Sequence, residues 1–385
     1  MFFFAEEHHM MRRMVRDFAE SEIAPLSADV DKKARFPHET FRKMAGLGLL
    51  GIPYPEEWGG AGADYLSYAI AVEEVARVCG STALSMAAHT TLGCGPLYHF
   101  GTDEQKKRFL RRLTSGEMLG AYGLTEPNSG SDAGGMQSRA VRNGSDWVLN
   151  GQKAWMTNGG VAGMYTVAAS TDPEQKTRGI TAFLLEKGQS GITIGPEYEK
   201  LGCRGSNTVE FFMQDVRVPD DMVLGPVHRG FRQFMDILNM GRISIGAMAL
   251  GLAQAAVDQA SKYALERTQF DRPIAEFQGI QFMLADMATD LEAARLLVYQ
   301  AAMLKDRQQD YAVAASKAKL FASEASHRIC HKAIQIHGGY GYSREFPVER
   351  FMRDAKLTEI GEGTSEIQRI IISRDLLQSA AKSLG

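Results

Sequence analysis

The hydrophobic period of this chain changes twice, from helical spacing to short strand-like runs near residue 118 and back to helical spacing near residue 229. Apolar side chains that recur every three to four residues cannot share one face of a strand, so each change of period marks a change of architecture. In the first stretch Met11, Val15 and Phe18 recur at helix spacing, as do Ile70, Val72, Val75, Ala76 and Cys79, with Pro37, Pro53 and residues 57–62 as punctuation. The middle stretch holds β-favouring runs at 122–125, 147–149, 165–168, 180–185, 192–194, 209–213 and 216–218, with Asn143-Gly144 and Asn150-Gly151 as hairpin signals. Long helices are expected over 231–267, 276–306 and 311–337 and from 365 onward, and their short connections suggest a bundle. The 385 residues exceed what one hydrophobic core usually serves. The expected fold is therefore mainly α with a central β domain: an N-terminal helical domain (1–117), an antiparallel barrel or sandwich (118–228) and a C-terminal four-helix domain (229–385).

Several function classes lose support at once. A net charge of -3 leaves no electrostatic footprint for nucleic acid. The longest apolar stretch, 243–257, is interrupted by Ser244 and Gln254 and is too short to span a bilayer, which reads as a buried helix. The apolar run at 1–5 is followed at once by Glu6 and Glu7, without the apolar core and cleavage site of a signal peptide, so a cytoplasmic or equivalent reducing location is expected, with the mitochondrial matrix as the eukaryotic counterpart. Cys79, Cys94, Cys203 and Cys330 lack the short spacings of a disulfide framework or zinc knuckle and read as inert core thiols. His327 and His331 lie one helical turn apart, but no third ligand has suitable spacing, so no metal is expected. The 19 methionines read as core gap-filling rather than as an adaptable binding surface. The glycines of 338–341 follow a helix instead of a strand, which argues against a nicotinamide dinucleotide loop.

Five motifs remain. AYGLTEPNSGSDAGG (121–135) leaves a strand for a loop crowded with hydroxyls and exposed amides, a composition suited to a hydrogen-bonding cofactor edge or phosphate. It is followed by KAWMTNG (153–159), ERTQF (266–270), QIHGGYG (335–341) and GEGTSEIQ (361–368), the last at the start of a helix. In this order and spacing the motifs resemble the acyl-CoA dehydrogenase family, and the resemblance covers essentially the whole chain.

The resemblance implies an acyl-CoA dehydrogenase-like fold, FAD as cofactor, and oxidation of the Cα–Cβ bond of an acyl-CoA to the trans-2-enoyl-CoA. Carried over by position, Tyr122, Leu124, Thr125, Gly130 and Ser131 line the pyrimidine edge and pyrophosphate of the flavin, with Trp155, Met156 and Thr157 on its other side. Arg267, Phe270, Gln278, Gln335, Ile336, His337, Gly338 and Gly339 match contacts to the adenine half of an FAD held by a neighbouring subunit, while Thr364, Ser365 and Glu366 meet FAD at a helix N-terminus. Glu362 matches the catalytic base, a role that requires a carboxylate whose pKa is raised toward neutrality by burial. In the family the backbone amide at this position and a ribityl hydroxyl polarise the thioester carbonyl, and hydride leaves Cβ for flavin N5.

Some members carry the base on the first helix of the C-terminal domain, where this chain has Gly241, so the isovaleryl type is disfavoured. Ser131, Asn239, Arg242, Gly363 and Arg374 match the substrate side; Asn239 replaces an aspartate common in the family, and Arg374 reads equally as a solvated helix residue. Gly361 stands where many members have tyrosine, which would leave room near Cα for a branched or cyclic substrate. Residues 87–97 are expected to line the acyl cavity, and 87–92 offer no cation for a distal carboxylate, so a short-to-medium chain is preferred over a glutaryl-type substrate. The resemblance further implies a homotetramer and an electron-transfer flavoprotein as acceptor. An oxidase that uses oxygen and a silent flavoprotein scaffold are the competing readings.

Overall fold

The computed structural model describes residues 4–384, so the first three residues of the apolar run at 1–5 lie outside the described residues. The N-terminal part contains α1 (Glu6–Phe18), α2 (Ala24–Lys33), α3 (His38–Gly46), α4 (Tyr65–Val78), α5 (Gly80–Ala87), α6 (Gly95–Phe100), α7 (Asp103–Gln105) and α8 (Arg111–Thr114). The central strands are β1 (Gly120–Gly123), β2 (Arg139–Asn143), β3 (Asp146–Thr157), β4 (Met164–Ser170), β5 (Ile180–Glu186), β6 (Ile192–Glu197), β7 (Thr208–Pro219) and β8 (Val223–Leu224). After them come α9 (Gly230–Glu266), a small hairpin of β9 (Thr268–Gln269) and β10 (Arg272–Pro273), then α10 (Gln278–Asp306), α11 (Ala312–His337), α12 (Val348–Ile360) and α13 (Ser365–Leu384).

The sheet order is β6-β7-β3-β2-β4-β5-β8, with β1 attached to β4. It is mixed rather than antiparallel as expected, because β1 runs parallel to β4, Gly120 facing Met164 and Gly123 facing Val167. The β2–β3 hairpin lies between them in sequence and gives the chain the length that a parallel crossover needs. Asn143-Gly144 forms the expected hairpin, with Asn143 opposite Asp146. Asn150-Gly151 does not turn the chain: it lies inside β3 at a register shift against β7, where Gly151 has φ +148 and a Cβ would stand 2.3 Å from Ser138 Oγ. An Asn-Gly pair tolerates positive φ in a bulge as readily as in a turn, and the sequence alone does not separate the two.

The C-terminal part holds one helix more than the four expected. α12 is short and charged, with Glu349, Arg350, Arg353, Lys356 and Glu359 around a narrow buried face of Phe351, Asp354, Ala355 and Thr358. Val348, Phe351 and Ala355 keep helical spacing on this face, but the buried Asp354 and Thr358 interrupt it with polar groups.

Two hydrophobic cores form, and they do not follow the chain order. One joins α4 from the N-terminal part to α9, α10 and α11. The other joins the sheet to Cys94, Leu97, Phe109, Leu110 and Leu113, and takes in Phe234 from the start of α9. α9 is apolar on all sides through its middle, and 89% of its most apolar window is buried, as the reading of 243–257 required. α4 is enclosed almost as completely, so its end amides need partners: Asp64 accepts from Ser67 N–H (2.7 Å), and Asp306 on α10 accepts from Tyr65 and Leu66 (2.7 and 3.1 Å). Its buried Glu73 and Glu74 accept from Arg295 on α10 (3.1 Å) and Arg16 on α1 (2.9 Å).

Close approach of α4 and α9 depends on Gly251, where a Cβ would stand 2.2 Å from the Glu73 carbonyl oxygen. Gly251→Ala should therefore cost about 1–3 kcal/mol by overpacking, despite the better helix propensity of alanine. A thermal midpoint lowered by several degrees is expected; an unchanged midpoint would mean that the two helices separate freely.

Candidate active site

Between α12 and α13 the chain passes through a tight turn in which Glu362 has φ +54 and Gly363 φ +100. A left-handed glutamate is strained and persists only where its surroundings hold it. Here the Gly363 carbonyl accepts from both Lys319 Nζ (2.7 Å) and Gln368 Nε2 (2.9 Å), so α11 and α13 grip the turn from two sides. Gly361 N–H closes α12 by donating to the Leu357 carbonyl (2.9 Å), and the Thr364 carbonyl accepts from Gln368 N–H (3.0 Å) to open α13.

The turn delivers the Glu362 carboxylate onto the bare backbone of α9. A Cβ built on Gly241 would stand 1.6 Å from Glu362 Oε2, so the missing side chain of Gly241 is the space that the carboxylate fills. Oε2 is buried and has no hydrogen-bond partner among the described residues. Burial pushes the Glu362 carboxyl up to about 7, and the Lys319 and Arg242 cations keep it from rising further. The backbone N–H of Glu362 also donates to nothing among the described residues.

Arg242, one residue along α9, is buried, and its Nη1 donates to Asn239 Oδ1 and to Ser316 Oγ (3.4 Å). Asn239 thus acts on Arg242 as a neutral acceptor where a carboxylate would have neutralised it. Tyr65 and Tyr68 on α4 and Tyr122 on β1 all feel the Glu362 charge, which helps burial raise their hydroxyl pKa values. Tyr65 donates to the Met240 carbonyl (3.1 Å) and Tyr122 to the Phe234 carbonyl (2.9 Å), which fastens α4 and β1 to the same segment of α9.

At the end of β1, Leu124 is buried and Thr125 half-buried, and the Thr125 carbonyl accepts from Ala154 N–H (2.8 Å), so the segments around Thr125 and Trp155 lie side by side. The loop that follows is organised from beneath by a buried ion pair, Lys153 Nζ with Glu126 Oε1 (2.7 Å). Glu126 also accepts from the N–H groups of Gln137 and Ser138, and Lys153 donates to the Leu124 carbonyl (3.3 Å). Gly130 and Ser131 are exposed, with open space over Gly130. Met156 is buried and Thr157 half-buried, whereas Trp155 is 58% exposed, has φ +57 and stacks on Tyr198 with ring centroids 4.1 Å apart.

A second group gathers elsewhere. Arg267, Ile336, His337, Gly338 and Gly339 line a cavity of about 540 Å³ together with Tyr263 and Tyr340. Phe270 on the β9–β10 turn is 87% exposed, and Gln278 and Gln335 are exposed outside the cavity wall. His337 Nδ1 lies 2.8 Å from the Ala333 carbonyl, so that nitrogen carries the proton and Nε2 remains a buried acceptor without a partner. Ser365 is buried with an unpaired hydroxyl at the start of α13, Glu366 is exposed beside it, and Arg374 stands exposed further along the helix.

Comparison with known proteins agrees with this architecture. Family profiles for the N-terminal, middle and C-terminal domains of acyl-CoA dehydrogenases match residues 5–117, 121–216 and 228–377. A probable acyl-CoA dehydrogenase of Bacillus subtilis is 54% identical over 97% of this chain and 98% of its own. The chain belongs to the acyl-CoA dehydrogenase family. The human mitochondrial short-chain specific acyl-CoA dehydrogenase is 50% identical over 97% of this chain and 91% of its own. Among solved structures, butyryl-CoA dehydrogenase from Megasphaera elsdenii superposes with a TM-score of 0.96 at 43% identity, covering 97% of this chain and 99% of that one. A chain solved in work on the electron transferring flavoprotein of Acidaminococcus fermentans gives 0.97 at 45% identity, with 98% and 99% coverage. An acyl-CoA dehydrogenase of Bacillus anthracis complexed with FAD gives 0.93 at 36% identity, with 99% and 68% coverage.

Sequence reasoning missed Lys319 and the Lys153–Glu126 pair. Lys319 sits on the small-residue face of α11 with Ala315, Ala318, Ala322 and Ser326, all buried, and a lysine on such a face was the available signal.

The raised pKa of Glu362 makes a testable statement about folding in this acyl-CoA dehydrogenase. The folded state holds the Glu362 proton more tightly than the unfolded chain, so this group's contribution to stability falls as pH rises from near 4.5 through about 7. Thermal midpoints measured between pH 4.5 and 8 should decline less steeply in Glu362→Gln than in the parent protein; parallel curves would remove the shift.

Proposed function

We propose that this acyl-CoA dehydrogenase oxidises the Cα–Cβ bond of a short-chain acyl-CoA, with Glu362 removing the α-proton, and that it uses FAD. The observation that carries the reading is the Glu362 carboxylate itself, half-buried with its Oε2 out of solvent and unpartnered, and pushed up to about 7 where a general base is most effective. The free N–H of Glu362 is a donor for the thioester carbonyl, the group on which negative charge develops as the α-proton leaves. One residue therefore offers both the base and a polarising amide.

The chain's residues fit FAD. The unpaired Ser365 hydroxyl stands at the N-terminus of α13, where free amides and the helix dipole favour a phosphate. The exposed Trp155 offers an aromatic surface beside the Thr125 backbone, and open space lies over Gly130, Gly338 and Gly339. Tyr122, Leu124, Thr125, Gly130, Ser131, Trp155, Met156, Thr157, Thr364, Ser365 and Glu366 would hold one cofactor. The separate cavity at Arg267 and Ile336–Gly339, with Phe270, Gln278 and Gln335 at its margin, would take the adenine half of a second one from a neighbouring subunit, as in a homotetramer. When bound, FAD would supply the acceptor for the hydride leaving Cβ, which carries both electrons of the oxidation.

Short acyl chains are supported by the short-chain specific and butyryl-CoA relatives, and an electron-transfer flavoprotein as acceptor by the likeness to the chain studied with that protein. The absence of a side chain at Gly361, next to Glu362, is assigned to room for a branched or cyclic acyl group. Asn239, Arg242, Gly363, Ser131 and Arg374 are assigned to the acyl-CoA side.

Anaerobic titration of the holoenzyme with straight, branched, cyclic and dicarboxylic acyl-CoAs should bleach the oxidised flavin with butyryl-CoA first. Glu362→Gln should retain FAD while slowing that bleaching by about 10²–10⁴-fold. A yellow protein that no acyl-CoA reduces would indicate a scaffold, and rapid reoxidation by air would indicate an oxidase.

A further inference from the structure

We propose that Lys319 is a positioning residue for the base, its buried ammonium fixing the 361–364 turn through the Gly363 carbonyl and setting the proton affinity of Glu362 by its charge. The inference rests on Glu362 being the base.

Lys319 is fully buried in the middle of α11, and its one hydrogen bond among the described residues is to the Gly363 carbonyl at 2.7 Å. It takes part in none of the ion pairs of the described residues, although the charges of Glu362, Glu359 and Glu366 favour its ammonium and that of Arg242 opposes it. A buried ammonium held by one carbonyl is costly, and methionine would fill the same volume without that cost. What the charge provides is local. The turn that it grips contains two consecutive residues with positive φ, Glu362 and Gly363, and that backbone directs the carboxylate into the notch at Gly241. Gln368 grips the same oxygen from α13 at 2.9 Å, but as a neutral amide it supplies tether without charge.

The electrostatic side has a definite sign. The groups that act on Glu362 are the cations Lys319 and Arg242, and the hydroxyls of Tyr65, Tyr68 and Tyr122 interact with it from α4 and β1. Burial drives the carboxyl up and Lys319 opposes it more strongly than Arg242 does. Arg242, on α9, has Asn239 and Ser316 as its own partners and no hydrogen bond to the turn among the described residues. Removing the lysine charge should therefore leave Glu362 protonated at pH values where the parent enzyme is ready to accept a proton.

The test is the pH profile of anaerobic flavin reduction by butyryl-CoA in three holoenzyme variants. Lys319→Gln keeps a donor for Gly363 and loses the charge; Lys319→Met loses both; Lys319→Arg keeps both. The acid limb should move up by about one pH unit in Gln and Met, lowering the rate about tenfold on the acid side, and the plateau at high pH should fall further in Met than in Gln. In Arg the limb should stay in place or move down, and this variant decides the question if the neutral ones do not retain FAD. A limb unmoved in Gln and Met, with lower rates at every pH, would reduce Lys319 to a packing residue. A limb that moves up in Arg would also overturn the proposal. Full activity in Glu362→Gln would instead remove the base assignment, an outcome separate from either.

Discussion

The candidate active site depends on a contact between a carboxylate and a bare helix backbone: Glu362 occupies the volume that a side chain at Gly241 would need. α9 is buried on all sides around this point, so the carboxylate enters an environment with little water, and its proton affinity rises accordingly. The strain of the left-handed turn, the paired donors on the Gly363 carbonyl and the cations at Lys319 and Arg242 all follow from placing an ionisable group there. Each would be needless if Glu362 were a solvated residue of a helix cap.

The position of that contact is set by the two cores. The first turns of α9 pack with the sheet through Phe234, and the rest of the helix packs with α4, α10 and α11. The Glu362 notch lies just after the point where α9 passes from one core to the other, and Tyr122 reaches α9 from the sheet side while Tyr65 reaches it from the helical side. Chemistry placed at a junction of this kind draws on side chains from all parts of the chain, and a rigid helix common to both cores keeps their spacing fixed.

Much of this was readable beforehand, and the failures have physical causes. The helix–strand–helix division follows from changes of hydrophobic period, which reflect how side chains project from each backbone. Asn143-Gly144 was read correctly and Asn150-Gly151 was not, because both a turn and a bulge accept the same positive φ. The parallel β1–β4 pair was missed because pairing direction depends on where the chain returns, which leaves no mark on the strands themselves. α12 was missed because polar residues interrupt even its buried face, at Asp354 and Thr358. Glu362 was singled out by its motif, whereas Lys319, forty-three positions earlier, belonged to no motif and draws notice only through its contact with Gly363.

The sequence by itself determined the order of helical and strand segments, the family, and the residue types available for proton transfer and cofactor contact, since these depend on local periodicity and on short motifs. Tertiary structure alone decided that Glu362 meets Gly241, that Lys319 and Gln368 share one carbonyl, that Asn239 serves Arg242, and that Arg267 and Ile336–Gly339, without Gln278 or Gln335, line one cavity. Proton affinity and the pairing of buried charges are set by distance and dielectric between groups remote in sequence, and those quantities exist only once the cores have closed around them.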